Sequence, residues 1–381
     1  MKPSTLALLF IVLFASSCKR DELLCTEVVH HNLKYNTSPV VYNLRDIKKS
    51  YFLNNLWRLT YYKERYYNIN KEKKQFYIIS FDSVGEDTVD INLEMTGKLP
   101  FTPVDFSIKN DTVFFLSANE TGSLYKIALP SSVSEATVVD MGSDLVLVAD
   151  SVSVPVNTRM NIIGNNHLLA KIGFQNVDIS EQRYFSVYSL NERKSLFEFA
   201  ECFSQVPENY YPAMDFPFRL DIDSVSIVSF GNKSNFYVYS NLNGELIGEY
   251  CAYSKHCEPV TGMDIYSNPD IQLSINYMVE KAYYLGIVYD PLTRNYLRIA
   301  KHNQHLHKEK SRRINKREDA AWSLLVLDDK FVCKGEVEFG SGEFNFTKYF
   351  TNSSGVYFLS LDSLSADLNS SVLTFNKLNL Q

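Results

Sequence analysis

The chain has 381 residues, a length that fits two to three average domains or one large all-β domain. Its formal net charge of −6 argues against nucleic-acid binding driven by electrostatics, and its 45% hydrophobic content excludes wholesale disorder. Aromatic residues make up 14% of the chain while glycine is scarce at 15 residues, a composition that favours β-strands.

The N-terminus has the pattern of a secretory signal peptide. A basic start with Lys2 precedes an unbroken apolar run over residues 6–14. As a helix this run would span about 13 Å, well short of the ~30 Å of a bilayer core. The small residues Ala15, Ser16 and Ser17 follow, and we predict a signal peptide over residues 1–17.

Cys18 directly follows these small residues, and the segment resembles a bacterial lipoprotein signal. The resemblance implies a diacylglyceryl group on the Cys18 thiol, cleavage before this cysteine and acylation of the new amine. Several acyl chains make membrane residence stable, whereas one gives only marginal anchoring. We therefore expect a lipidated N-terminus and linker over residues 18–40.

The charged run Lys19-Arg20-Asp21-Glu22 resembles the signal that exports Bacteroidota lipoproteins to the cell surface, and a solvated linker is the alternative. The expected location is the outer membrane, with the protein facing the periplasm or the cell surface.

Six cysteines occur, and assigning Cys18 to lipid leaves five. No CxxC motif is present, so the sequence contains neither a thioredoxin-like motif nor a zinc ribbon. Cys251 and Cys257 lie six residues apart across a loop. They form either a disulfide or two free thiols.

Residues 41–381 repeat one pattern of short apolar runs, each bounded by turn residues. Residues 112–116 (TVFFL) and 225–230 (VSIVSF) are typical, and such β-branched and aromatic runs predict strands. Residues 235–250 predict a hairpin in which Asn243-Gly244 supplies the tight turn. The predicted fold class is all-β.

The predicted strands group in fours. One copy covers residues 105–108, 112–117, 123–129 and 136–141, and another covers 218–221, 225–230, 236–240 and 245–250. About six such units predict a six-bladed β-propeller of four-stranded antiparallel blades over residues 41–381. A seven-bladed propeller or a large β-sandwich is the alternative. The last unit lacks a strand, and we expect one from near residues 51–62 to close the ring.

With its lipoprotein signal and its aromatic hairpins, the chain resembles a Bacteroidota family of six-bladed propeller lipoproteins. The resemblance also rests on the segment Tyr289-Asp290-Pro291, which leads into Tyr296-Leu297-Arg298. The resemblance implies the fold and the lipid anchor, and it implies no activity.

Three loops between units, residues 97–105, 208–221 and 258–270, are expected on one face. Each combines proline with aromatic residues and an acid near the next strand, which suits a ligand mouth. The candidate ligand-binding residues are Tyr210, Tyr211, Asp215 and Arg219. The alternative is that these side chains wedge neighbouring units together.

Residues 301–319 form a predicted insertion with seven Lys or Arg against three acids. Its candidates for an anionic contact are Lys308, Lys310, Arg312 and Arg313, and a solvated loop is the alternative. His302, His305 and His307 have no fixed spacing and no acid or cysteine to complete a ligand set. We therefore predict no metal and no cofactor.

The sequence contains no HExxH, GxSxG, GxxxxGK[ST] or GxGxxG motif. We expect a lipid-anchored binding or interaction module at the cell envelope. Its partners would be the membrane, through the lipid, and an envelope protein or a glycan, but not nucleic acid. One alternative is a hydrolase or lyase with its site at the mouth of the central channel, formed by two carboxylates or by a histidine and a carboxylate. The other alternative is a purely structural component of the envelope.

Overall fold

The structure is a computed structural model that describes residues 32–44, 48–49, 52–53, 56, 59–70, 73–84, 88–117, 123–129, 135–140, 159–164, 166–171, 183–201, 214, 217–257, 262, 271–307, 314–362 and 371–380. Within these ranges the secondary structure is nearly all β, with 24 strands and a helix, α1 (Ile271–Glu280). Among the described helices, none is long and apolar enough to cross a membrane.

The strands form sets of four, in each of which chain neighbours pair antiparallel. Set 1 comprises β2 (Thr60–Tyr62), β3 (Arg65–Asn70), β4 (Gln75–Ser83) and β5 (Thr88–Lys98). Set 2 comprises β6 (Pro103–Lys109), β7 (Thr112–Ser117), β8 (Ser123–Ala128) and β9 (Thr137–Asp140). Set 3 comprises β10 (Asn161–Ile163), β11 (His167–Lys171), β12 (Arg183–Ser189) and β13 (Lys194–Glu201).

Set 4 comprises β14 (Pro217–Ile222), β15 (Val225–Phe230), β16 (Asn235–Ser240) and β17 (Leu246–Cys251). Set 5 comprises β18 (Tyr283–Asp290), β19 (Asn295–Lys301), β20 (Trp322–Leu327) and β21 (Cys333–Phe339). Set 6 comprises β22 (Phe344–Asn352), β23 (Gly355–Ser360), β24 (Val372–Leu380) and the N-terminal strand β1 (Tyr35–Leu44). The predicted strands of sets 2 and 4 agree with the structure to within about two residues at each end.

Strand β1 joins the two ends of the chain. It pairs antiparallel with β24, from Tyr35 opposite Leu380 to Asn43 opposite Val372, and its last residues pair parallel with β5. Sets 1 and 6 therefore form one continuous eight-stranded sheet. The expected closing strand near residues 51–62 was wrongly located, because β2 in that region begins set 1. Since β1 begins at Tyr35, it crosses the predicted boundary at residue 40.

Apolar side chains on both faces of a set pack against the two neighbouring sets. Along β7, Val113 and Phe115 belong to the core between sets 1 and 2, whereas Phe114 and Leu116 belong to the core between sets 2 and 3. This alternation follows from the two-residue period of a strand, and it explains why the runs are continuously apolar.

Every consecutive pair of sets shares such a core. The series continues through sets 3 and 4, 4 and 5, and 5 and 6, and it returns to set 1 through Tyr42, Phe375 and Ile91. The described part of the chain is therefore propeller-like, with antiparallel sheets packed face to face in a closed series.

Two tight turns show how the sequence sets the hairpins. Asn110 and Asp111, between β6 and β7, have φ of 48° and 56°, as the two central residues of a type I′ turn require. Gly244 has φ of 72°, and a side chain there would collide with the ring of Phe197. We expected both Asn243 and Gly244 to have positive φ, which is confirmed at Gly244 and wrong at Asn243.

The described cysteines do not pair with one another. Cys257 and Cys333 are free thiols, whereas Cys251 is in a disulfide. Both alternatives for Cys251 and Cys257 were therefore wrong, since Cys257 is free and Cys251 is bonded to a cysteine outside the described residues. Burial of the Cys257 side chain raises its pKa to about 12, which leaves it a protonated thiol.

Candidate functional site

One cavity of about 400 Å³ is lined by the first strand of all six sets. Its lining includes, in order of the sets, Thr60, Ser107, Asn161, Asp221, Val288 and Thr351. Because these six strands belong to sets that pack in a closed series, we call this space the axial cavity.

Arg219 is held at the cavity wall by a buried ion pair. Its side chain is fully buried, and Nε lies 3.0 Å from Oδ1 of Asp221, two residues along β14. Residues i and i+2 of a strand share a face, so this spacing directs both side chains to the same side. The guanidinium also packs over the ring of Phe185 at 4.6 Å and donates to the carbonyl oxygen of Arg159.

Asp221 connects this ion pair to neighbouring polar groups. Its carboxylate accepts hydrogen bonds from Nδ2 of Asn161 at 3.2 Å and from the Ser226 hydroxyl at 2.7 Å. About one eighth of the Asp221 side chain stays exposed, at 12%. The carboxylate is thus oriented by several donors and still presents surface to the cavity.

Arg159, which precedes β10, supplies the second cation of the wall. Its Nε lies 3.5 Å from Oδ1 of Asp105, and its other nitrogens donate to the carbonyl oxygens of Leu59 at 3.2 Å and Phe106 at 3.4 Å. Burial lowers the pKa of Arg159, and the charge of Asp105 opposes that shift. The two arginines therefore each have an aspartate partner.

Five aromatic side chains from sets 5, 6 and 1 also line the cavity. They are Tyr61, Tyr66, Tyr289, Tyr349 and Phe350. The Tyr66 hydroxyl donates to the carbonyl oxygen of Thr351 at 3.2 Å, and burial raises the pKa of Tyr66 above its ordinary value. These rings add apolar surface to a cavity that the ion-paired groups also line.

The structure places one of the four predicted ligand-binding residues at this cavity. Arg219 lines it, from strand β14 rather than from the predicted loop. Tyr210, Tyr211 and Asp215 lie outside the described residues.

Sequence reasoning missed Arg159 and did not include Asp221 among the candidates. The sequence did contain a signal for these residues, namely the acid at the end of each of the first two predicted loops. These acids are Asp105 and Asp221. Each of them pairs with an arginine at the cavity.

The insertion over residues 301–319 is anchored at both ends. Lys301 is completely buried at the end of β19, and Nζ donates to the carbonyl oxygens of Val279, Lys281 and His302 at 2.7, 2.9 and 3.0 Å. The Lys301 amine thus satisfies two carbonyls at the C-terminal end of α1, and burial lowers its pKa to about 7. Treating residues 301–319 as one solvated loop was therefore wrong for Lys301.

Farther along the insertion, His307 pairs with Ile314 in an antiparallel bridge. The candidates Lys308, Lys310, Arg312 and Arg313 lie between these two positions and outside the described residues. Of the three histidines in this segment, His305 and His307 are exposed. Burial and the neighbouring His256 lower the pKa of His302 to about 4, which leaves it neutral at pH 7.

Comparison with solved structures finds the same propeller-like architecture in two proteins from Bacteroides. A member of the DUF4221 family from Bacteroides vulgatus matches with a TM-score of 0.63 at 14% identity, over 92% of this chain and 99% of the other. An exported protein from Bacteroides fragilis matches with a TM-score of 0.54 at 10% identity, over 93% and 98%. At these identities the likeness concerns the fold. No protein-family model and no curated protein matches the sequence.

Proposed function

We propose that this protein is a lipid-anchored, extracytoplasmic β-propeller with six blades whose axial cavity binds a small neutral saccharide. The observation that carries this proposal is the axial cavity itself, whose lining combines ion-paired arginines with tyrosines. Such a combination of apolar surface and a few oriented polar groups is typical of small-molecule sites.

The six sets correspond to the six blades, with β1 as the outermost strand of the last one. Support comes from the cyclic series of cores between neighbouring sets and from the contribution of every first strand to one cavity. Closure by an N-terminal strand also protects the sheet edges that an open repeat would expose.

The charges of the site favour a neutral ligand over a multiply charged anion. Arg159 is balanced by Asp105, and Arg219 is balanced by Asp221, so no excess positive charge remains at the wall. Guanidinium, carboxylate and amide groups match the donor and acceptor pattern of sugar hydroxyls. Tyrosine rings such as Tyr289 can cover the apolar face of a sugar ring.

The N-terminal features support placement at the cell envelope. The signal over residues 1–17 and the acceptor Cys18 favour an outer-membrane lipoprotein, and one of the two similar Bacteroides structures is an exported protein. Lys308, Lys310, Arg312 and Arg313 remain our candidates for an anionic contact, with an envelope protein or an acidic glycan as the partner.

A propeller hydrolase or lyase receives no support from the cavity. Its described lining residues contain one carboxylate, Asp221, and no histidine. A glycosidase needs two carboxyl groups flanking the bond that it cleaves. We therefore favour binding over catalysis.

Calorimetric titration of the mature full-length protein with neutral mono- and disaccharides, and with the matching uronic acids, tests this function. We expect a neutral saccharide to bind at one site per chain. Arg159→Ala and Tyr289→Ala should each weaken binding by about tenfold or more, which is the effect of losing about 1.4 kcal/mol. The control Arg65→Ala removes an exposed arginine and should bind as the wild type does. Equal binding by all three variants would contradict the proposal.

A further inference from the structure

Two histidines meet in the contact between sets 4 and 5, away from the axial cavity. His256 lies in the segment that follows β17, and His302 follows the last residue of β19. Their rings stack with centroids 3.9 Å apart and an angle of 20° between the planes. Segments from two neighbouring sets thus bring two imidazoles into direct contact.

Strand register adds carboxylates to the same place. Glu336 and Glu338 are two residues apart on β21, so they share a face of the sheet. Ser323 of β20 lies directly opposite Glu338, and its hydroxyl contacts Nε2 of His302. The face of set 5 that carries these side chains is therefore the face on which His256 lies.

Glu336 is the unusual member, because its side chain is completely buried. A buried carboxylate is costly unless it is paired or coordinates a metal. Its Oε1 accepts a hydrogen bond of 2.5 Å from the hydroxyl of Ser254, a residue in the same segment as His256. This contact links the carboxylate to the segment that carries His256.

We propose that His256, His302 and Glu336 form a binding site for a divalent transition-metal ion such as Zn²⁺. One possible ligand atom from each of the three residues lies within 4.8 Å of the others. Two imidazoles and one carboxylate are a ligand set that proteins use for Zn²⁺, and imidazole distinguishes the site from those of Mg²⁺ or Ca²⁺.

Glu338 borders the three proposed ligands. Nε2 of His256 lies 3.3 Å from Oε2 of Glu338, and Lys255 pairs with the same carboxylate. Glu338 is thus positioned as a neighbouring acceptor for a ring N–H of His256. Carboxylates in this role orient histidine ligands in many metal sites.

The inferred ion would join two neighbouring sets. His256 belongs to the connection that leaves set 4, whereas His302 and Glu336 belong to set 5. Because ions that bind the folded state stabilise it by mass action, occupancy should raise the thermal stability of the whole protein. This inference does not depend on the saccharide ligand.

Metal titration of the full-length protein, purified without a polyhistidine tag and treated with EDTA, tests the site. We expect one equivalent of Co²⁺ to give a visible absorption spectrum of imidazole-ligated cobalt, and Zn²⁺ to displace it. Zn²⁺ should also raise the unfolding temperature measured by circular dichroism.

His302→Gln should weaken Zn²⁺ binding at least tenfold and abolish this thermal shift. His256→Gln, at a more exposed position, provides the same test if the first variant folds poorly. The matched control His305→Gln changes an exposed histidine of the same segment and should bind as the wild type does. The inference is overturned if the wild type binds no Co²⁺ or Zn²⁺, or if His256→Gln and His302→Gln both bind as the control does.

Discussion

Replacing Tyr42 by alanine tests whether β1 closes the series of packed sets. The Tyr42 side chain is 4% exposed and makes edge-to-face contacts with Phe81, Phe350 and Phe375, with ring centroids 5.7, 5.8 and 5.4 Å apart. These rings belong to set 1 and set 6, so the tyrosine fills the core at the junction of the two chain ends. A buried aromatic residue replaced by alanine leaves a cavity and costs about 3–5 kcal/mol. Because three aromatic contacts are lost, we expect the free energy of unfolding to fall by about 4 kcal/mol.

Urea unfolding measures this loss. The fluorescence of Trp322, which is completely buried, should report the loss of the core. The control Asn36→Ala changes an exposed residue of the same strand and should alter the free energy of unfolding by less than about 0.5 kcal/mol. If Tyr42→Ala costs no more than this control, β1 does not complete the sixth set.

Three further predictions concern buried cations, a thiol and the insertion. Arg298→Met should cost at least about 1–3 kcal/mol in urea unfolding, because its buried guanidinium donates to the carbonyl oxygens of Phe230, Lys233, Ser234 and Ala252 and these would lose their donor. Cys257, with its pKa raised to about 12, should resist iodoacetamide at pH 8 in the native protein and react after unfolding, as peptide mass spectrometry can show. Replacing residues 308–313 by Gly-Gly should change stability by less than about 0.5 kcal/mol, because the sequence predicts a charged insertion there and insertions in surface loops cost little.

Each of these predictions has a contradicting outcome. An Arg298→Met protein as stable as the wild type would mean that the four carbonyls are satisfied without the guanidinium. Rapid native alkylation of Cys257 would show that the thiol is accessible. A large loss of stability on replacing residues 308–313 would make that segment part of the fold, as Lys301 already is.

Much of the fold could be predicted from the sequence because strands buried on both faces give continuous apolar runs. Sets 2 and 4 illustrate this, since each run is bounded by turn residues. Strand β1 was missed because its sequence, YNTSPVVYNL, is polar and contains Pro39, which is typical of an edge position. Most of its pairing is with β24, more than 300 residues later in the chain.

Helix α1 was also not predicted, and the role of Lys301 depends on it. The lysine is charged and lies next to a charged segment, so sequence alone favours a solvated position. In the structure the carbonyls at the end of α1 surround its ammonium group, and these become available only through tertiary packing.

The candidate site was predictable only in part for a similar reason. Arg219 and Asp221 are two residues apart on one strand, so their pairing follows from local geometry. Arg159 reaches the same wall from a different set, and its partner Asp105 comes from yet another. No local sequence pattern connects residues of three sets. The His256–His302 contact could not be predicted for the same reason, because it joins segments of two different sets.

A crystal structure of the protein with the saccharide that binds best in calorimetry would test the central proposal most directly. We predict electron density for the sugar in the axial cavity, in contact with Arg159 or Asp221 on one side and with Tyr289 or Tyr349 on the other. Density for the sugar at an outer loop, with the axial cavity holding only water, would contradict the account.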